Sequence, residues 1–394
     1  MKNRFTRIII NDPFSVFRII AWNLKTLFLK ISGKKTIVFN IQMDYFFNVF
    51  EPVYEMLKQN PKIRIYFSCF EGHQHIRQYL KEFINPKFLL SSDISPFIYF
   101  DLFITAEVNG PNFPLSLLPT KRIQIYHGSG VYNLYTKKNV LENFDVHFAV
   151  GPKHVEFVKT LIHTKKYPNK FAIIGYPKLD AIVNPPKELI SKLNNLYGIK
   201  DQFVILYTPH WNPYGSLHIL SLEMITRLAK IENTLILIKV HNFLFARYKE
   251  DNWQKKLNDI TEKLPNVIFV TRPNTQEIFP LGDMLITDTG TSAAFEYSLT
   301  NNPLFVFHNP DWFENNDFGN VESEIIDTAI CFKQIDEIVE LTQKLINKDD
   351  KLQNIIAAQQ KKQQLLIEKY LFNPGNATPA AVKTICKELN LNEG

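Results

Sequence analysis

Short apolar runs alternate with helical patterns in the first half of this chain and again in the second, and that repeat limits the folds open to its 394 residues. Residues 35–42 (KTIVFNIQ) and 62–69 (KIRIYFSC) read as strands, each followed by a helical pattern over 47–59 and 73–84. Apolar runs at 102–105, 122–126, 146–150 and 171–174 continue the series. Runs that are apolar throughout suit strands buried on both faces, so the pattern predicts a parallel sheet covered by helices on each side. A polar, helix-forming connection over 185–201 precedes a second series at 203–207, 234–240, 267–270, 284–287 and 304–307. The tail adds helical patterns at 349–371 and 378–389, the second capped by Thr378 with Pro379 in its first position.

The expected fold is therefore α/β: two doubly wound, Rossmann-like lobes facing a central cleft, with ligand sites outside the carboxyl ends of the strands. By analogy this is the glycosyltransferase B architecture. The length supports two lobes, over 35–184 and over 185–394 with the C-terminal helices included, preceded by an arm at 1–34. A content of 45% hydrophobic and 21% charged residues excludes extensive disorder, and the 32 Phe and 16 Tyr are expected mainly in the cores. Cys69, Cys331 and Cys386 are too far apart for a disulfide framework or thiolate metal site, which implies a reducing, cytosolic compartment.

The net charge of +6 matters chiefly for where it sits. Lys2, Arg4, Arg7, Arg18, Lys25, Lys30, Lys34 and Lys35 crowd the arm against a single acid, Asp12. Asp12 and Pro13 would start a helix and Gly33 would stop it. Phe17, Ile20, Ala21, Leu24, Phe28 and Ile31 share one face of that helix, and Trp22 is read as an interfacial side chain. Arg18, Asn23, Lys25 and Lys30 make the stretch too polar to span a bilayer, and no secretory signal is evident. The pattern suits a helix lying on anionic lipid or, alternatively, one packed on the first lobe. Basic residues set among aliphatic neighbours do not form the aromatic stripe of a nucleic-acid site, so no nucleic-acid partner is expected.

Four clusters carry chemistry. His127 and Gly128 follow a strand, where an imidazole neutral near pH 7 suits an acceptor of a hydroxyl proton. Lys239 and His241 end a strongly apolar run and, alternating to one face, would meet a phosphate whose charge grows as a leaving group departs. Asp288, Thr289, Gly290, Thr291 and Ser292 form a hydroxyl-rich turn between a strand and a helix, an expected seat for a diphosphate, with Glu296 one turn on for ribose hydroxyls. A simple N-cap would use the same residue types. Thr208, His210 and Trp211 follow another strand as candidate cleft-lining residues, and residues 175–180 (GYPKLD) read as a structural turn near the hinge. No Asp, His or Cys cluster has metal-ligand spacing, so neither a tightly held metal nor another tightly bound cofactor is expected.

Taken in order, these segments resemble the CDP-glycerol glycerophosphotransferase family, makers of teichoic-acid-like and capsule polymers with the glycosyltransferase B fold. The resemblance lies in the HG pair at 127–128, GYPKLD at 175–180, LYTPHW at 206–211, KVH at 239–241 and LITDTGTS at 285–292 with Glu296 and Pro303 beyond. Lys178 stands where the family has arginine, Thr291 and Ser292 replace its serine pair, and Glu296 falls one residue late. The resemblance implies that His127 and His241 are a functionally required pair, with 35–184 the acceptor lobe and 185–394 the donor lobe. It implies transfer of glycerol phosphate from a CDP-activated donor, which is a substrate, to a polymer or lipid-linked acceptor, with release of CMP. The setting would be cytoplasmic, peripheral at the inner face of the plasma membrane. A nucleotide-sugar glycosyltransferase, a UDP-N-acetylglucosamine 2-epimerase-like enzyme, or a non-catalytic two-lobed protein binding polymer or a partner would show a similar alternation.

Overall fold

A computed structural model describes residues 12, 14–43, 46–69, 74–106, 119–126, 128, 144–161, 171–272, 274–314 and 319–391. The chain divides into two compact units, Met1–Lys178 with Tyr370–Gly394 and Leu179–Lys369. This division differs from the expected boundaries at both ends. The first unit closes at Lys178, within the GYPKLD turn, and the C-terminal helix belongs to the first unit instead of the second.

The first unit holds β1 (Lys35–Asn40), β2 (Ile63–Cys69), β3 (Leu89–Ser91), β4 (Leu102–Thr105), β5 (Lys121–Gln124), β6 (Val146–Ala149) and β7 (Phe171–Ile173) in one parallel sheet, in the order β3-β2-β1-β4-β5-β6-β7. Aromatic side chains fill much of its core, among them the fully buried Phe39, Phe46, Phe47, Phe50, Phe67, Phe100 and Phe148. Phe39 lies 5.0 Å from Phe50 and 5.6 Å from Phe67. Each such burial contributes roughly 2 to 3 kcal/mol.

The returning C-terminal segment is tied into this unit by backbone and side chain. The Phe372 N–H donates to the Val150 carbonyl at 2.7 Å, and Asn373 Nδ2 donates to Ile174 O at 3.1 Å. Gly175 has φ +93°, and a β-carbon there would stand 2.0 Å from the Phe372 carbonyl oxygen, so the turn needs glycine for its conformation and for the close approach. The last helix spans Ala377–Glu388 with Asn376 at its N-cap, two residues before the expected cap at Thr378. Lys121 pairs with Glu388 at 2.9 Å.

A helix over Ser15–Ile31 precedes β1, as the arm's periodicity predicts, with Phe14 at its N-cap and the Asp12 carboxylate accepting from the Phe14 N–H at 3.0 Å. Ile19, Trp22 and Leu29 pack against a core cluster that includes Tyr66 and Phe100. Trp22 is thus not an interfacial side chain: its ring meets Tyr66 edge-on at 5.3 Å, with Lys25 Nζ 4.1 Å above it. The neighbouring face remains uncovered, and Phe14, Phe17, Ile20, Leu24, Leu27, Phe28 and Ile31 are 50 to 77% exposed. Lys2, Arg4, Arg7 and Pro13 lie outside the described residues. Among the described residues no helix is long and apolar enough to cross a membrane.

The second unit holds β8 (Phe203–Thr208), β9 (Thr234–Ile238), β10 (Val267–Phe269), β11 (Met284–Asp288), β12 (Leu304–Phe307) and β13 (Ile330–Phe332), all parallel, in the order β10-β9-β8-β11-β12-β13. Both sheets therefore run outward from a central pair, the doubly wound arrangement. Among the described residues, β3 and β13 are the strands the sequence pattern missed; each has three residues and lies at a sheet edge.

Candidate functional site

In the second sheet the strand order reverses between β8 and β11, and open parallel sheets bind ligands in the crevice outside such a point. The loop leaving β8 carries His210 and Trp211, and the turn leaving β11 runs from Thr289 to Thr291. They are joined by hydrogen bonds between residues nearly 80 positions apart. Thr287 Oγ1 donates to the Thr208 carbonyl at 2.7 Å, and the His210 N–H donates to Asp288 Oδ2 at 2.6 Å. Asn309 Nδ2 holds the same loop further on, donating to the Tyr214 carbonyl at 3.0 Å.

Asp288 is 1% exposed, and its Oδ1 has no hydrogen-bond partner among the described residues. Burial raises its carboxyl from the ordinary carboxylate range to about 7, against the opposing effect of hydrogen bonds from Ser216 and the His210 backbone. The Asp288 carboxylate is thus committed to the β8 loop. Thr289 also faces the protein, donating to the Phe307 carbonyl at 2.9 Å. Thr291 is the N-cap of the helix Ser292–Tyr297, accepting from the Ala293 N–H at 3.0 Å, with its hydroxyl 3.2 Å from that of Thr287. Of the residues expected to seat a diphosphate, Ser292 is exposed and Gly290 half-buried. Gly290 has φ +87°, and a β-carbon there would lie 2.4 Å from the Trp312 ring, so the indole closes tightly under the turn. Glu296 is 5% exposed, and its carboxylate makes no hydrogen bond or ion pair among the described residues.

The β9 end differs from its expected form. The strand stops at Ile238, so strand alternation does not govern Lys239 and His241. Lys239 Nζ reaches sideways to the Thr271 carbonyl at 2.7 Å. Burial lowers its ammonium to about 8, opposed by Glu277 and assisted by Arg272. His241 is exposed, and its Nδ1 accepts from the Phe243 N–H at 3.1 Å, which leaves the ring proton of the neutral form on Nε2. His210 likewise accepts at Nδ1, from the Asn212 N–H at 3.0 Å, and burial with the nearby His241 lowers it to about 4. His210 is therefore neutral near pH 7.

Around these imidazoles stands an aromatic wall. The His210 and Trp211 rings lie 5.3 Å apart, Trp211 meets Phe243 edge-on at 5.6 Å, and His241 lies 4.8 Å from Phe243. Phe243 and Arg247 escaped the sequence reading because their helix, Phe243–Arg247, is too short to show a periodicity, although their i,i+4 spacing was visible. His127 lies outside the described residues. Gly128 is half-buried, and a β-carbon on it would meet nothing within 4 Å.

Two doubly wound parallel sheets, the second with a loop-built site at its strand carboxyl ends, are the architecture of the glycosyltransferase B fold. The chain belongs to the CDP-glycerol:poly(glycerophosphate) glycerophosphotransferase family, which it matches over residues 135–369, more than half its length. His127 and Gly128 fall before that span. No curated protein matches the chain. Its fold is similar to that of the wall teichoic acid polymerase TagF, with 18% identity, 99% of this chain and 98% of that one covered, and a TM-score of 0.67. The UDP-GlcNAc 2-epimerase from Neisseria meningitidis, solved with UDP-GlcNAc, is similar at 16% identity over 90% of this chain and 100% of that one, with a TM-score of 0.58.

Proposed function

We propose that the chain transfers glycerol phosphate from CDP-glycerol to a hydroxyl of a polymer or lipid-linked acceptor and releases CMP. The observation that carries this reading is the meeting of two family signatures, LYTPHW and LITDTGTS, through the Thr287–Thr208 and Asp288–His210 hydrogen bonds at the switch point of a sheet in the matched region. The acceptor oxygen attacks the phosphorus that bears glycerol, the bond from that phosphorus to the bridging oxygen breaks, and CMP departs with the bonding electrons. His127 takes the proton of the acceptor hydroxyl, while His241 donates from Nε2 to the diphosphate oxygens as charge moves toward CMP. Lys239 adds positive charge nearby, Ser292 and Gly290 contribute the exposed edge of the turn, and Glu296 offers its carboxylate to ribose hydroxyls. Product analysis tests the class of reaction. Incubation with CDP-glycerol and a glycerol-phosphate-primed acceptor should yield CMP in proportion to the glycerol phosphate incorporated. Turnover of a UDP-sugar with release of UDP, and none of CDP-glycerol, would overturn the reading.

The same reading sets the protein against the inner face of the plasma membrane, on anionic lipid, through the uncovered face of the Ser15–Ile31 helix. In support, large apolar side chains stand exposed there beside Arg18 and Lys25, while the packed face is already occupied by Tyr66 and its neighbours. Replacing Phe17, Leu24 and Phe28 together by Glu leaves the packed face intact. The triple variant should lose binding to phosphatidylglycerol-containing vesicles by about a hundredfold or more, with an unchanged thermal midpoint. Equal flotation of both proteins would sink the membrane assignment.

A further inference from the structure

The short helix beyond His241 ends in a cation that none of the five family-like segments contains. Arg247 places its guanidinium carbon 4.5 Å from the Trp211 ring centre and 4.9 Å from that of Phe243. The two rings stand at 90° to one another, so the guanidinium occupies the corner between two aromatic walls. It makes no hydrogen bond or ion pair among the described residues. His241 touches Phe243 and His210 touches Trp211, which places Arg247 in the same cluster as the two imidazoles, outside the carboxyl ends of β8 and β9.

We propose that Arg247 binds the diphosphate of the nucleotide donor beside His241, an inference that rests on the donor reading above. A guanidinium lying over an aromatic face uses its π-surface for that contact and keeps its in-plane N–H groups for a planar, two-pronged grip on phosphate oxygens. The aromatic walls also restrict the side chain before the ligand arrives, so less rotamer freedom is lost on binding. His210 is neutral at working pH, and Lys239 is engaged with the Thr271 carbonyl. Arg247 thus supplies the permanent positive charge of the cluster. A cation held there only to cover Trp211 would do so without responding to ligand charge.

Calorimetric titration of the full chain separates these possibilities, using CDP-glycerol, inorganic pyrophosphate and cytidine against the wild type, Arg247→Gln and Arg247→Lys. The Gln variant should bind CDP-glycerol and pyrophosphate about tenfold or more weaker, the loss expected for a charge-assisted hydrogen bond, while cytidine binding stays unchanged. The Lys variant, which keeps the charge and loses the fork, should fall between. Equal pyrophosphate affinity for wild type and Gln variant, an equal loss for cytidine, or no pyrophosphate binding by the wild type would each overturn the assignment. Arg247-dependent binding of pyrophosphate without any binding of CDP-glycerol would uphold the anion site and overturn the donor reading instead.

Discussion

Transfer from CDP-glycerol by the His241→Ala protein is expected to fall by about a hundredfold to a thousandfold in kcat, the usual cost of removing one donor aimed at developing charge. The direction follows from the tautomer. With Nδ1 accepting from the Phe243 N–H, the neutral ring presents Nε2–H, a donor and not a base. Glutamine should therefore recover part of the activity, since its amide also offers N–H, whereas alanine offers nothing. His241 is exposed, so the alanine variant should keep its thermal midpoint, and the loss would report on chemistry instead of folding. Steady-state kinetics decide the role. A fall in kcat with little change in KM marks a contact made in the transition state, whereas a rise in KM alone would reduce His241 to ground-state binding and defeat the proposal. His127→Ala should also abolish turnover, but by removing a proton acceptor, so glutamine at 127 should not rescue it.

The fold was legible wherever strands are buried on both faces, because such strands must be apolar throughout: Phe203–Thr208 and Met284–Asp288 stand out for that reason. β3 and β13 escaped the pattern, although β7 and β10, edge strands of the same length, did not. The return of the chain to the first unit was not legible, because it is fixed by distant contacts such as Phe372 N–H to Val150 O, which no local pattern announces. The arm satisfied one expected alternative and leaves the other as a proposal: it packs through Ile19, Trp22 and Leu29, and a second apolar face stays uncovered. In the site, residue types were easier to read than directions. Strand-end polarity pointed to Lys239, His241 and the 288–292 turn, but which of their side chains turn inward depends on partners far off in sequence. Asp288 meets His210, Thr289 meets Phe307, and Lys239 meets Thr271.

Asp288→Asn should separate the two consequences of burying that carboxyl, with a sign set by its raised pKa. An acid that titrates at about 7 in the folded chain, against an unfolded value of 3.8, stays protonated in the fold while the unfolded chain already ionises. The contribution of Asp288 to wild-type stability should therefore be greatest below pH 4, decline as pH rises toward 7, and fall no further above that. That difference corresponds to roughly 4 kcal/mol across the window. Asparagine has no such titration, and its Oδ1 can still accept from the His210 N–H, so the stability of the variant relative to wild type should improve steadily between pH 4 and 7. Asp288→Ala removes the acceptor altogether. It leaves the His210 N–H unpaired, frees the loop carrying His210 and Trp211, and should cost about 1 to 3 kcal/mol with a marked loss of transfer. Urea denaturation of the three proteins at several pH values measures the first effect, and activity at one pH measures the second. A wild-type-minus-Asn difference that is flat from pH 4 to 7 would show that Asp288 is ionised throughout, held by a partner in its buried position.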